Sequence, residues 1–188
     1  RGIFLNDEDW GLCPWSSMTY EPKMRKFHSE DTTVRKGEIG KYTHEKIFEL
    51  LLRLRANSFW PAMHECSVPF YFTDGNKEMA DKYGILVSTS HCEPMMRNTN
   101  GEWKTAGKGE YNFVTNSSNV TAFWEERVKA WTGSDCIYTL GMRGVHDSGM
   151  KGAKTIDEQT KVLSDVIKVQ RDMLAKYNKS EVSEIPQQ

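Results

Sequence analysis

Residues 138–149 have the sequence Tyr-Thr-Leu-Gly-Met-Arg-Gly-Val-His-Asp-Ser-Gly, and this stretch decides how the fold is interpreted. A short β-forming run at 137–140 ends before a glycine, and Arg143, His146 and Asp147 follow closely. A strand that ends in a cation, an imidazole and a carboxylate is typical of one wall of a βα-barrel active site. The alternative is a structural ion pair between Arg143 and Asp147 that braces a loop.

The same plan of strand, polar cluster and helix occurs four times along the chain. Short apolar runs predict strands at 2–6, 57–63, 85–90 and 137–140. Helical spacing of apolar residues, or a closing glycine, predicts helices at 43–55, 76–83, 119–131 and 157–177. A polar, solvated excursion is predicted at about 23–38, and a long loop is predicted at 95–115. Such alternation predicts parallel strands with helical crossovers.

The helix at 43–55 has the clearest pattern of the four. Thr43 is its predicted N-cap. Its predicted buried face consists of Ile47, Leu50, Leu51 and Leu54.

Two architectures fit this alternation, a doubly wound open sheet and half of an eight-stranded barrel. No G-x-G-x-x-G sequence follows the first predicted strand, so nucleotide binding by an open sheet is unsupported. Polar clusters at the ends of all four strands favour the barrel, because an open sheet binds ligands mainly at one switch point. The sequence therefore predicts an α/β fold of parallel βα units, half of a (β/α)8 TIM barrel with strand order 1-2-3-4. This partial domain covers residues 1–178. Residues 179–188 form a polar tail at a truncation point, and no strand is predicted to begin in this tail.

Composition excludes several classes of protein. The chain has 188 residues and a formal net charge of −1, and it lacks the basic run expected of a nucleic-acid binder. No apolar run is long enough to span a membrane. Because the first residues lie inside a predicted strand, we expect the chain to be a fragment of a longer protein. The four cysteines form no C-x-x-C pair, so reduced thiols are expected rather than a zinc knuckle or a redox motif.

The charged groups at the predicted strand ends admit two chemistries. These groups are Asp7, Glu8, Asp9, His64, Glu65, His91, Glu93, Arg143, His146 and Asp147. In the first chemistry, two carboxylates flank a glycosidic bond while arginine and histidine hold a charged sugar. In the second, histidines and carboxylates bind a metal that activates water, with His64, His91, His146 and Glu93 as the nearest ligand set. The first predicted strand carries no H-x-H sequence, which disfavours the metal, and Glu8 and Glu65 are candidates for structural pairing.

Tryptophans are frequent near the predicted strand ends, at positions 10, 15, 60 and 103. Aromatic rings in such places suit the apolar faces of sugars, although core packing explains most tryptophans equally well. Trp60 is the candidate for contact with substrate.

Five longer motifs resemble one enzyme family. They are residues 1–8 (RGIFLNDE), 51–57 (LLRLRAN), 60–63 (WPAM), 90–97 (SHCEPMMR) and 140–144 (LGMRG). These motifs are similar, in the same order, to the barrel domain of the xylan α-glucuronidases of glycoside hydrolase family 115. The resemblance covers nearly the whole chain.

The resemblance implies an inverting glycoside hydrolase that releases glucuronic acid or its 4-O-methyl ether from xylan side branches. It implies no metal and no organic cofactor. The substrate would be xylan or a xylo-oligosaccharide, and the parent protein would be a secreted or periplasmic homodimer. The chain would supply the N-terminal half of the barrel and would need the C-terminal half, so the fragment alone is expected to be inactive. The alternatives are a metal-dependent TIM-barrel hydrolase and a non-catalytic, carbohydrate-binding half-barrel.

The resemblance also implies roles for individual residues. Asp147 matches a catalytic carboxylate, Glu93 is a second catalytic candidate, and the remaining catalytic carboxylate is expected beyond residue 188. The candidates for substrate binding are Asp7, His91, Arg143, His146, Trp60 and Arg97. The chain departs from the family pattern at His64-Glu65, where an aromatic residue is expected, and at His146 and Ser148, which flank Asp147.

Overall fold

The computed structural model describes residues 1–178 and 182–188 of the chain. The chain divides into two compact units, Arg1–Val87 and Ser88–Gln188. The predicted boundary between the partial barrel and the polar tail falls at 179–181, outside the described residues.

The first unit contains a parallel sheet of three short strands. The strands are β1 (Gly2–Phe4), β2 (Ser58–Trp60) and β3 (Leu86–Val87), in the order β1-β2-β3. Phe59 of β2 pairs with Ile3 on one side and with Val87 on the other. The parallel pairing of the first three strands is confirmed. β2 is shorter than predicted, because Pro61 has no N–H group with which to continue the ladder.

Four helices accompany this sheet. They are α1 (Leu12–Trp15), α2 (Glu21–Phe27), α3 (Lys41–Arg53) and α4 (Asn76–Tyr83), and a π-helical turn, Ser16–Tyr20, joins α1 to α2. The segment predicted as a polar, solvated excursion at 23–38 begins within helix α2, and most of its residues are exposed. Pro22 is compatible with α2 because proline fits the first turn of a helix. Helix α4 and its left-handed cap at Gly84 (φ 61°) are confirmed.

Helix α3 differs from its prediction at the N-terminus and on its buried face. It begins at Lys41, and the predicted N-cap Thr43 instead donates from its backbone N–H and its hydroxyl to Oε1 of Glu21, each over 2.7 Å. The helix buries Phe48 and Leu51. Two leucines of the predicted face, Leu50 and Leu54, are 54% and 63% exposed, so that part of the prediction is wrong.

The second unit is mainly helical. Its helices are α5 (Trp103–Ala106), α6 (Phe113–Trp131) and α7 (Ile156–Asn178), with 3-10 turns at Pro94–Met96 and Val182–Glu184. Helix α6 begins earlier than predicted because Asn112 caps it, accepting from the backbone N–H groups of Val114 (3.0 Å) and Thr115 (3.3 Å). The predicted loop at 95–115 is correspondingly shorter and partly helical.

The segment predicted as the fourth strand is extended, and among the described residues it pairs through an isolated bridge. Tyr138 pairs with Gln187 in the parallel sense, and Leu140 N–H donates to Gln188 O over 2.8 Å. The described residues thus contain three strands rather than the four predicted. The tail was predicted to start no strand, yet its last residues pair with this segment, because extended backbone still needs hydrogen-bond partners.

Helices α6 and α7 contribute to the core of the second unit with the buried apolar side chains Val120, Phe123, Trp124, Val128, Trp131, Val166, Met173 and Leu174. Helical spacing places Val120, Phe123, Trp124, Arg127 and Val128 on one side of α6, and all five are buried. Within residues 1–178 and 182–188, no helix combines the length and apolar character needed to cross a bilayer.

Candidate active site

Two contacts fix the loop that follows the Tyr138 segment. The buried amide of Gln170 on α7 accepts from Gly141 N–H and donates to Gly141 O, each over 2.8 Å. Further along, Gly144 N–H donates to Ser148 O over 3.0 Å. A Cβ at Gly144 would lie 2.2 Å from Ser148 Oγ and 2.4 Å from Gly149 O, so this tight turn requires glycine. The turn presents Asp147 at its apex.

The carboxylate of Asp147 is the centre of the site. Its Oδ1 lies 3.0 Å from His91 Nε2 and accepts from Arg143 Nη1 over 3.1 Å and from Cys92 Sγ over 3.6 Å. Its Oδ2 lies 3.3 Å from His146 Nδ1. The structure therefore brings together four of the residues singled out from the sequence, Asp147, Arg143, His91 and His146. Cys92 was not predicted, because only its folded position reveals this contact.

The environment of Asp147 keeps it charged and accessible. The hydrogen bond with His91, aided by Cys92, His146 and Arg143, holds the pKa of the Asp147 carboxyl below its usual range. Its side chain is 60% exposed, and that of Arg143 is 41% exposed. An ionised, solvent-accessible carboxylate beside a guanidinium can accept a proton from water while the guanidinium holds an anionic group. Burial and the Asp147 charge raise the pKa of the Cys92 thiol to about 11, so this thiol is a hydrogen-bond donor at neutral pH.

Glu93 lies close in sequence to this site but is only 2% exposed. Its Oε2 accepts from the backbone N–H of Ser90 over 3.3 Å and from the Ser90 hydroxyl over 3.4 Å. The hydroxyl of Thr89 donates to the Glu93 carbonyl over 2.8 Å. These contacts hold the turn that carries His91 and Cys92.

Arg97, predicted to bind substrate, lies in the interior of the second unit. Its guanidinium donates to Phe123 O, Glu102 Oε2 and Glu126 Oε2, each over 2.6 Å. Arg127 donates to the same Glu102 oxygen over 2.6 Å. The side chain of Arg97 is 3% exposed, so we assign it to the framework rather than to substrate binding.

The first unit carries the polar groups that follow β1 and β2. Asp7 is exposed and has a left-handed backbone (φ 56°). Glu8 is buried, and its Oε1 accepts from His64 N–H (3.0 Å) and from the Ser67 hydroxyl (2.9 Å). Glu8 thus has a structural role, through a backbone N–H and a hydroxyl rather than through the predicted pairing with another charged group. The half-buried Trp60 packs edge-to-face on Phe4, with the ring centroids 5.5 Å apart.

The other tryptophans near the predicted strand ends divide into exposed and buried groups. Trp10 is 87% exposed and Trp15 is 46% exposed. Trp103 is buried against Tyr111 and Phe123, which accords with core packing.

Two groups among the described residues gather donor atoms of the types that metals bind. They are His91, Cys92 and Asp147 in the second unit and Asp9, His64 and Cys66 in the first. The sequence-based set of His64, His91, His146 and Glu93 draws on both units. It also omits the cysteines, which are all free thiols. No sequence signal revealed these groups, because each joins residues that only folding brings together.

Comparisons with known proteins identify the family. The sequence model of glycosyl hydrolase family 115 matches residues 1–188. The chain is 58% identical to a solved structure described as "a novel family GH115 4-O-Methyl-alpha-glucuronidase, BtGH115A, with specificity for decorated arabinogalactans". The TM-score is 0.91 over 100% of this chain, which spans 23% of that one. No curated protein matches significantly. The expected resemblance is confirmed, and the chain belongs to glycosyl hydrolase family 115.

Proposed function

We propose that this chain forms part of an α-glucuronidase that removes glucuronic acid or 4-O-methylglucuronic acid from side branches of a plant polysaccharide. Family membership and the activity named for the 58% identical relative support the reaction class. The observation that carries the proposal is the exposed Asp147 carboxylate, which lies within 3.1 Å of both His91 and Arg143.

In the proposed mechanism Asp147 acts as a general base. Its lowered pKa keeps it ionised near neutral pH, and its exposed oxygens can take a proton from a water that attacks the anomeric carbon. Inversion requires a second carboxyl group, an acid roughly 6.5–9.5 Å away that protonates the leaving oxygen. We place that acid outside residues 1–188. Glu93 is the alternative within this chain, although its burial and its bonds to Ser90 favour a role in positioning His91.

Recognition of the uronate is assigned to the cations around Asp147. Arg143 makes two contacts with Asp147, one from Nη1 to Oδ1 and one from Nη2 to the carbonyl. The guanidinium has five N–H donors in a planar fork, so donors remain for a sugar carboxylate. His91 and His146 are exposed enough to contact the sugar hydroxyls. In the first unit, Asp7 and Trp60 are assigned to sugar hydroxyls and to a sugar ring face.

The full protein is proposed to complete a (β/α)8 barrel around these residues. The parallel order β1-β2-β3 and the alternation of strands with helices support that architecture. We also propose an exported protein that acts as a homodimer and needs neither metal nor organic cofactor for hydrolysis. Residues 1–188 alone are then expected to be inactive, because the second carboxylate is missing.

Two polymers are candidate substrates. Glucuronoxylan follows from the family resemblance, whereas the specificity named for the relative favours decorated arabinogalactans. The test incubates the full-length protein with each polymer and follows the released sugar by proton NMR. We expect a uronic acid that appears first as the β-anomer, because inversion of an α-link produces it. Failure to release any uronic acid from either polymer would favour the rival function, a non-catalytic carbohydrate-binding module.

A further inference from the structure

The loops after β1 and β2 bring together three side chains that the proposed hydrolysis does not use. A carboxylate oxygen of Asp9, an imidazole nitrogen of His64 and the sulfur of Cys66 all lie within 4.8 Å of one another. All three side chains are exposed. They belong to one compact unit, and none of them falls in the motifs that resemble the family.

A buried framework holds these loops together. Glu8 is 3% exposed, and its carboxylate binds His64 N–H and the Ser67 hydroxyl. Ser67 N–H also donates to His64 O over 3.1 Å, which closes the turn that carries Cys66. Asp9 is the neighbour of Glu8 within the 3-10 turn Glu8–Trp10. The separation of the three donor side chains is therefore set by backbone anchored at a buried residue.

We propose that Asp9, His64 and Cys66 form a binding site for a divalent transition-metal ion of the zinc class. Thiolate, imidazole and carboxylate are the ligand types that zinc accepts, at about 2.0–2.3 Å, which places tetrahedral ligand atoms roughly 3.5 Å apart. The exposed side chains need to close by only about an ångström. Burial, aided by Cys13 and by the charges of Glu8 and Asp9, raises the pKa of the Cys66 thiol to about 12. A bound cation would offset these effects and stabilise the thiolate. On binding, the Cys66 thiol releases its proton to solvent as the sulfur–metal bond forms.

Three protein ligands leave the fourth tetrahedral position open to water. The ion would link the loop after β1 to the loop after β2, which the hydrogen bonds of Glu8 already connect. This role is structural and independent of the proposed hydrolysis, so it can be tested without an activity assay.

The experiment titrates Co²⁺ into the full-length protein, after treatment with a chelator and in a phosphine reductant that keeps the thiols reduced. Bound Co²⁺ reports a sulfur ligand through its thiolate-to-metal charge-transfer absorption, and competition with Zn²⁺ then gives the affinity for zinc. Cys66→Ser and Asp9→Asn remove ligands. Glu65→Gln is the matched control, since it removes a charge from the same loop without removing a ligand. Cys92→Ser tests the other group of donor atoms.

We expect the charge-transfer absorption to reach its maximum at one equivalent of Co²⁺ and to be lost in Cys66→Ser. In Asp9→Asn the affinity for Co²⁺ should fall at least tenfold. The absorption should persist in Glu65→Gln and Cys92→Ser. Zn²⁺ should also raise the melting temperature of the wild type but not of Cys66→Ser. A Cys66→Ser protein that binds Co²⁺ with the wild-type spectrum would overturn the proposal. Equal weakening by Asp9→Asn and Glu65→Gln would also overturn it, because it would indicate a general negative field rather than ligation.

Discussion

Arg143 holds Asp147 through two contacts, from Nη1 to Oδ1 and from Nη2 to the backbone carbonyl, each over 3.1 Å. Both side chains stay largely exposed, at 41% and 60%. An exposed ion pair of this kind contributes little to stability, so bracing the loop is a weak explanation for it. The proposed role of the pair in binding and catalysis predicts a different outcome from bracing, and this difference can be measured.

Arg143→Lys tests the binding half of that unit. Lysine keeps the charge but loses the planar fork, so we expect KM for a uronate-bearing oligosaccharide to rise roughly tenfold, equivalent to about 1.4 kcal/mol, with a smaller change in kcat. Steady-state kinetics on the full-length protein provide the measurement. Arg53→Lys is the control, because Arg53 pairs with Glu49 on the exposed surface of α3. An unchanged KM in Arg143→Lys would remove Arg143 from uronate recognition.

The buried network around Arg97 predicts that two neighbouring carboxylates contribute differently to the stability of the protein. Glu102 is fully buried and accepts from Arg97 and Arg127, whereas the Glu126 side chain is 73% exposed. Glu102→Gln leaves two buried guanidinium groups poorly neutralised and should cost about 3–5 kcal/mol. Glu126→Gln removes an exposed partner and should cost about 0–1 kcal/mol.

Thermal unfolding of both variants checks this prediction. We expect a clear fall in melting temperature for Glu102→Gln and almost none for Glu126→Gln. Equal melting temperatures would indicate that Arg97 and Arg127 reach solvent, and Arg97 would again become a candidate for substrate contact.

His44 predicts a specific loss of stability in acid. Its ring is fully buried, and burial lowers its pKa from 6.5 to about 4, although Gly40 O and Asn76 Oδ1 lie close to Nδ1. Between these values the unfolded chain binds a proton that the folded chain does not, so stability falls as pH drops from about 6.5 to about 4. The expected contribution is about 3 kcal/mol, at about 1.36 kcal/mol per pH unit.

The measurement compares the pH dependence of unfolding in the wild type and in His44→Asn. Asparagine has an N–H donor near the position of Nδ1 but does not titrate, so the slope between about pH 4 and 6.5 should become shallower. An identical slope in the two proteins would show that another group causes the acid sensitivity.

Local patterns in the sequence predicted those parts of the fold that depend on local interactions. The helical spacing of α6 and the glycine that caps α4 were sufficient because their causes lie within a few residues. The pairing of the extended segment at Tyr138 does not follow from local pattern, because its partner, Gln187, is distant in sequence. The limits of strands depend on such distant partners, which hydrophobic pattern alone does not specify.

In the candidate site, too, residues close together in sequence are predictable and contacts between distant segments are not. Arg143, His146 and Asp147 were found because they lie in one short loop. Cys92 was missed because its contact with Asp147 joins two separate segments. The resemblance marks Arg97 as a candidate for substrate binding, but the sequence does not reveal its burial against Phe123 and Glu102.

Asp147→Asn in the full-length protein tests the central claim most directly. The substitution keeps the shape of the side chain and removes the proton acceptor, so kcat should fall by at least about 100-fold while substrate still binds and the melting temperature stays unchanged. Asp165→Asn is the control, because Asp165 is an exposed carboxylate on α7 paired with Lys161. An Asp147→Asn enzyme that melts normally and retains near-normal kcat would contradict the account.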